Sequence, residues 1–372
     1  MIACFESDQN AKPADRGAGA AAGSRRVPSG RVIAAATCVS LALSLELPKA
    51  VADPIADFYR GKMIELDVGT GVGGGYDANA RLVARHLGRF IPGHPTIVVD
   101  NLPGGGGIRA ANVLFNRSSR DGLTIGTFSN AMITEPLLGS GQAMFEPDKF
   151  LWLGSATRED AVCVVARSSG VTSWSGLQDK EIIVGTAAPG TTTYMFPVML
   201  RNMFGAKFTP VSGYPDGGQI DLAFARGEVQ SVCQTYSSLK VAHRDWLQGG
   251  LASAIIALGF HRIPDLPWLE TVSELATSEE QKEVLKVILA PTLAGRPLVV
   301  PPGVPQDRVD VLRHAFSAMV DDPSFRADAG RLGMDIQPAA GQEIDALVKH
   351  IYALPADVIA KTRMIVSRVL TK

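Results

Sequence analysis

Residues 63–87 read MIELDVGTGVGGGYDANARLVARHL, and three kinds of structure follow one another in them. Met63 to Val68 is β-like. Gly69 to Gly75 is a loop with five glycines. Asp77 is placed to cap a helix on which Ala80, Val83, Ala84 and Leu87 recur at i, i+3, i+4 and i+7, one apolar face. Gly88 and Pro92 end that helix. The unit then repeats. Ile97 to Val99 is a second strand, followed by Pro103, four glycines from Gly104 to Gly107, a helical segment through Ala110, Val113 and Leu114, and a third strand from Leu123 to Phe128. Strands that alternate with helices predict a parallel sheet with helices on its faces.

The middle of the chain carries the same theme. Strands are expected at Ala161 to Ala166, Glu181 to Gly185, Phe208 to Val211 and around Val232. Helices are expected from Ser173 to Leu177, from Tyr194 to Met203, and after Gly218, where Ile220, Ala223 and Phe224 turn inward. Leu251 to Gly259 is apolar and is expected to cross back to the first lobe. Pro301-Pro302-Gly303-Val304-Pro305 is a firm break, and Val309, Leu312, Ala315, Phe316 and Met319 form an amphipathic stripe beyond it. The pattern predicts two interleaved α/β lobes. Their expected bounds are 53–158 for the first part of lobe 1, 159–254 for lobe 2, and 255–372 for the rest of lobe 1 with C-terminal helices.

The 372 residues carry a formal net charge of −1, which argues against nucleic acid or an anionic membrane as partner. At the N-terminus, Arg25, Arg26 and Arg31 precede an apolar run from Val32 to Leu47, and Ala50-Val51-Ala52 has the form of a cleavage site. This order is that of a secretory signal peptide, so cleavage is expected near Ala52 and the mature chain in the periplasm. Cleavage would leave Cys163 and Cys233, which are read either as a disulfide in an oxidising compartment or as two buried thiols.

Four loops rich in small and polar residues each follow a strand and open a helix: 69–77, 101–107, 186–193 and 212–218. Ligands of open α/β sheets bind off the carboxyl ends of the strands, where helix N-termini offer unpaired N–H groups. Such loops suit a small anion. Two rival readings share this sequence. Gly69, Gly71 and Gly74 fit G-x-G-x-x-G with Asp100 ending the next strand, the shape of a dinucleotide site in an exported α/β enzyme. Ser237-Ser238-Leu239-Lys240 matches S-x-x-K, without S-D-N or K-T-G partners. His86, His94, His243, His261, His314 and His350 show no metal-ligand spacing, so neither a metal nor a cofactor is expected.

The loops also carry a resemblance. Gly73-Gly74-Gly75-Tyr76-Asp77, Val99 to Gly107, Asp121 to Gly126, Gly213 to Gly218, Gly227-Glu228-Val229 and Pro301 to Pro305 resemble, in order and spacing, the substrate-binding proteins of tripartite tricarboxylate transporters, the Bug-type receptors. The resemblance implies an α/β, periplasmic-binding-protein-like (type II) fold, a two-lobed Venus flytrap whose lobes are mostly parallel sheets flanked by helices. It implies a monomeric binding protein, not an enzyme, that delivers a di- or tricarboxylate or an aromatic acid to membrane permease subunits; a sensor subunit of the same fold is the alternative. Carried over by position, the ligand-binding residues are Gly74, Gly75, Tyr76, Asp77, Ser129, Asn130, Thr186, Pro189, Gly190, Thr191, Thr192 and Tyr214. Tyr76 stands where the family usually has Thr, and Ala187-Ala188-Pro189-Gly190-Thr191-Thr192-Thr193 departs from its Ser, Asn and His pattern.

Overall fold

A computed structural model describes residues 53–139 and 141–367. The expected signal peptide lies outside the described residues. Eleven strands run in chain order: β1 Met63–Val68, β2 Thr96–Asn101, β3 Thr124–Thr127, β4 Leu151–Ser155, β5 Ala161–Ala166, β6 Ile182–Thr186, β7 Phe208–Ser212, β8 Ser231–Thr235, β9 Ala252–Leu258, β10 Pro297–Val300 and β11 Ala339–Ala340. They form two sheets, ordered β11-β4-β10-β3-β1-β2 and β7-β6-β8-β5-β9. The fold is thus the expected two-lobed α/β arrangement.

Both sheets are mixed, which corrects the expectation of mostly parallel lobes. β1, β2 and β3 run parallel, as do β6, β7 and β8. The strands nearest the passages between lobes run antiparallel: β10 against β3 and β4, β11 against β4, and β5 against β8 and β9. A chain that leaves one sheet and returns from the other can enter it from the opposite end, because it does not make the crossover between neighbouring strands that keeps direction. The expectation for Leu251 to Gly259 is also corrected. β9 pairs with β5 along Ala161↔Leu258 to Ala166↔Ala252 and stays in the second sheet. The return comes between β9 and β10, through the helix Glu279–Leu293.

That helix packs against the helix Ala356–Ser367, which also lies on Thr192–Phe204 of the second lobe. One apolar cluster therefore runs through both lobes: Phe128, Phe150 and Trp152 from the first, Val184, Met195 and Phe196 from the second, and Val284, Ile288 and Val366 from these late helices. Cys163 and Cys233 face each other in the β5–β8 register and are joined by a disulfide.

At the outer edge of the first sheet, Asp67 on β1 pairs in register with Asp100 on β2. Glu65 brings a third carboxylate within 4.8 Å. Asp67 is buried at 3% exposure. Burial pushes its carboxyl up to about 7, with Glu65 and Asp100 adding to the rise. This value lies above the ~3.9 of an unfolded Asp, so the folded chain holds the proton more tightly. The stability tied to that proton is present below about pH 4 and is lost as pH rises through 7. Asp67→Asn stays neutral. It should melt like wild type near pH 4 and be more stable at pH 8, on the order of 1–2 kcal/mol once screening by water is allowed for. Thermal melts at the two pH values check this; coincident melts at pH 8 would contradict it.

Candidate functional site

Between the two sheets lies a cavity of about 110 Å³. The first lobe contributes Thr70 to Val72 and Gly74 to Tyr76 from the loop after β1, Gly106 from the loop after β2, and Ser129 after β3. The second lobe contributes Ala187 and Thr191 to Thr193 after β6, Asp216 to Gly218 and Asp221 after β7, Gln234 and Thr235 from the end of β8, and Ser238 and Ala242 after it. Each group stands at the carboxyl end of a parallel strand. The helices Gly75–Leu87, Thr192–Phe204 and Gly217–Ala225 begin at the cavity wall. Their first N–H groups lack helical acceptors, and their dipoles place partial positive charge there.

The lobes touch across this cavity. Gly71 N–H donates to Asp216 Oδ2 at 3.2 Å. A Cβ on Gly71 would lie 2.7 Å from that oxygen, and one on Gly106 would lie 2.0 Å from Thr191 Cγ2. Gly106 also has φ of +66°, a conformation that Gly adopts without steric cost. The glycines of the first-lobe loops let backbone meet side chains of the second lobe.

Beneath the cavity floor is Arg296, whose side chain is 0% exposed, as is that of Glu159. Arg296 Nε lies 2.9 Å from Glu159 Oε1, an ion pair by distance and not an aligned hydrogen bond. Arg296 Nη2 donates to Ser237 Oγ at 2.6 Å and to Ser238 Oγ at 3.0 Å, while Nη1 donates to the Gly75 carbonyl. Its guanidinium carbon is 5.3 Å from the centre of the Tyr76 ring. One side chain thus ties the first-lobe loop to the 156–160 passage and to the helix Tyr236–Ala242 of the second lobe.

Of the twelve residues expected from sequence, Gly74, Gly75, Tyr76, Ser129, Thr191 and Thr192 line the cavity. The others stand behind it or away from it. Asp77 is not the helix cap; Gly74 holds that position. The Asp77 carboxylate instead accepts from Gly73 N–H at 2.9 Å, Arg81 Nε at 3.0 Å and Asn101 Nδ2 at 2.9 Å, which fixes the glycine loop. Burial pushes its carboxyl up, but these donors hold it below the usual carboxylate range. Asn130 acts through its backbone, whose N–H donates to Tyr76 Oη at 3.0 Å. Burial, then the charge of Glu159, push the Tyr76 phenol up to about 12, so it remains a neutral hydroxyl. Thr186 Oγ1 bonds Ser212 Oγ at 2.8 Å at the ends of β6 and β7. Gly190 packs on Gly139 and Glu135 of the first lobe. Pro189 and Tyr214 lie outside the lining, and Tyr214 packs on the apolar cluster around Phe224.

Sequence reasoning missed Asp221, Gln234, Thr235, Ser238 and Arg296, which belong to no glycine loop. Ser238 comes from the S-x-x-K stretch. Its Lys240 is bound by Asp265 at 3.1 Å and by Asp335. Burial pushes the Lys240 amine down, but these two carboxylates outweigh it and hold the amine above its usual range, charged, which does not suit a general base.

No protein-family model matches the chain. A curated relative from Cupriavidus necator, described as "UPF0065 protein in gbd 5'region", is 23% identical over 314 residues, covering 82% of this chain and 88% of the relative. The periplasmic binding protein BugD is similar in structure, with a TM-score of 0.67 at 20% identity over 82% of this chain and 98% of BugD. Rpa4515 of R. palustris, solved with adipate, gives 0.65 at 21% identity over 82% of this chain and 97% of its own. MatC from Rhodopseudomonas palustris, solved with bound malate, gives 0.64 at 19% identity over 82% and 99%. The likeness shows that this chain has the fold of the Bug-type periplasmic binding proteins.

Proposed function

We propose that the chain is an extracytoplasmic solute-binding protein that captures a small organic carboxylate between its lobes. In this reading it is exported by cleavage near Ala52 and hands the acid, as a monomer, to membrane permease subunits of the tripartite tricarboxylate type. It binds and releases without catalysis. The observation that carries the reading is the interlobe cavity onto which three helix N-termini open, from loops whose glycines allow close backbone approach. Gly74, Gly75, Tyr76, Ser129, Thr191 and Thr192 would meet the ligand, with Asp77 and Asn130 setting the loop and the phenol behind them. The cavity volume of about 110 Å³ suits a ligand of few atoms, against roughly 300 Å³ and upward for drug-sized pockets. Relatives of the same fold solved with adipate and malate support the ligand class. No helix among the described residues is long and apolar enough to cross a membrane.

Thermal unfolding of residues 53–372 against di- and tricarboxylates, aromatic acids, amino acids and NAD tests this. A ligand at 100 times its Kd should stabilise the fold by about 2.7 kcal/mol. Stabilisation by one carboxylate class is the expected result. Stabilisation by NAD alone would contradict the receptor reading and favour the dinucleotide one.

A further inference from the structure

We propose that Asp221 makes this cavity selective for acids that also carry a hydrogen-bond donor, a hydroxyl or an ammonium group, over unsubstituted dicarboxylates. The inference rests on the carboxylate reading above and adds to it what the second half of the ligand must be.

The polar lining is asymmetric in charge. No Lys or Arg lines the cavity among the described residues, whereas two carboxylates, Asp216 and Asp221, do. Asp216 is already used: one oxygen caps its own helix by accepting from Gln219 N–H at 3.1 Å, and the other accepts from Gly71 across the cleft. Asp221 stands one turn further along the same helix and is 8% exposed. Its Oδ2 is held at 2.8 Å by His243 Nε2. The His243 ring is stacked on Trp246 at 3.9 Å and 17°, and Trp246 packs on Phe224 at 4.4 Å. The carboxylate is therefore fixed from behind. Its Oδ1 is buried beside the Gln234 amide, and neither Oδ1 nor Gln234 Nε2 has an aligned hydrogen bond.

A buried carboxylate oxygen without an aligned donor is costly, and a bound hydroxyl or ammonium relieves that cost. A second ligand carboxylate in the same small volume would instead meet Asp216 and Asp221 with no cation in the wall, a like-charge contact at low dielectric. Burial pushes the Asp221 carboxyl up against the pull of His243 and Gln234, as expected of a group whose charged form lacks full solvation. The backbone donors of the helix N-termini remain for the ligand's own carboxylate, one turn away from Asp221.

Calorimetric titration of residues 53–372 with matched acids tests the proposal. Succinate is compared with malate for the hydroxyl and with aspartate for the ammonium; butyrate is compared with its 2-hydroxy and 2-amino forms in the same way. In wild type, at least one donor-bearing acid should bind roughly tenfold or more tightly than its unsubstituted partner, the size of a hydrogen bond to a charged group. Asp221→Asn keeps the shape and a bond to His243; it should bring that ratio close to one by weakening the donor-bearing acid more than its unsubstituted partner. Equal binding of matched acids by wild type would overturn the proposal and leave the carboxylate reading standing. So would a loss in Asp221→Asn that is the same for both members of a pair, since a merely structural role produces that. The wild-type ratio does not depend on whether the variant folds. Ethanolamine and glycerol, donors without a carboxylate, form the last arm. Their binding with no response to any acid would overturn the carboxylate reading and with it the selectivity among acids, as would silence across all arms.

Discussion

Replacing Arg296 by Met should cost the protein about 3–5 kcal/mol, the largest loss expected from one side chain. The pair that Arg296 makes with Glu159 is fully buried on both sides. A Met of similar length fills much of the space but leaves the Glu159 charge without its counter-ion. Glu159 would keep bonds from Thr157 Oγ1, at 2.9 Å, and from Ser237, which solvate it only in part. Ser237, Ser238 and the Gly75 carbonyl would lose their shared donor at the same time. Much of the cost thus comes from an uncompensated charge and not from the net worth of the pair, so the double change Arg296→Met with Glu159→Gln should recover about half of it or more. Arg296→Lys should not rescue, because a single ammonium cannot reach Glu159, two serines and a carbonyl on separate segments. Urea unfolding of the four proteins decides. A loss under about 1 kcal/mol for Arg296→Met, or a double variant no better than the single, would mean that the pair does not hold the lobes at this point.

Gly106→Ala should abolish most ligand binding while leaving the lobes folded. A Cβ there would stand 2.0 Å from Thr191 Cγ2 on the facing lobe, so the loop or Thr191 must shift for the lobes to meet. The φ of +66° adds backbone strain of about 1–2 kcal/mol. That strain is intrinsic to the loop and should appear in the unfolding midpoint; the clash exists only when the lobes meet and should appear in affinity. We expect ligand affinity to fall by roughly 100-fold, since closure energy of about 2.7 kcal/mol would be forfeited. Thr191→Ser removes the offending methyl and keeps the hydroxyl that bonds Ala188 O at 2.7 Å and Thr193 Oγ1 at 3.0 Å. Combined with Gly106→Ala it should restore most of the affinity but none of the midpoint. Unaltered affinity in Gly106→Ala would show that the Gly106–Thr191 contact plays no part in holding ligand.

Much of the framework was legible because local chemistry and fold agree. The run from Met63 to Leu87 reads as strand, loop and helix, and it forms β1, the glycine loop and the helix Gly75–Leu87. β5, β7 and β8 likewise fall on their apolar runs. β4 and β10 were not legible: Leu151 to Ser155 and Pro297 to Val300 are too short to show a period, and their antiparallel direction is set by where the chain re-enters the sheet. The site divides in the same way. Glycine loops announce themselves, since the positive φ of Gly73 and Gly106 excludes most residues. Asp77 near a helix start reads as a cap, yet its carboxylate turns back to Gly73 and Asn101, a choice made by tertiary packing. Arg296 between Gly295 and Pro297, and Asp221 inside a helix, have no local pattern that separates a buried polar group from a solvated one. Only the meeting of the lobes reveals them.

Binding as proposed requires closure of two lobes over a small acid. X-ray scattering of residues 53–372, titrated with C4 to C6 carboxylates and with hydroxy and amino acids, tests it most directly. An acid which stabilises the fold should also lower the radius of gyration of wild type and leave that of Gly106→Ala unchanged. Scattering that does not respond to any acid, or responds equally in both proteins, would contradict it.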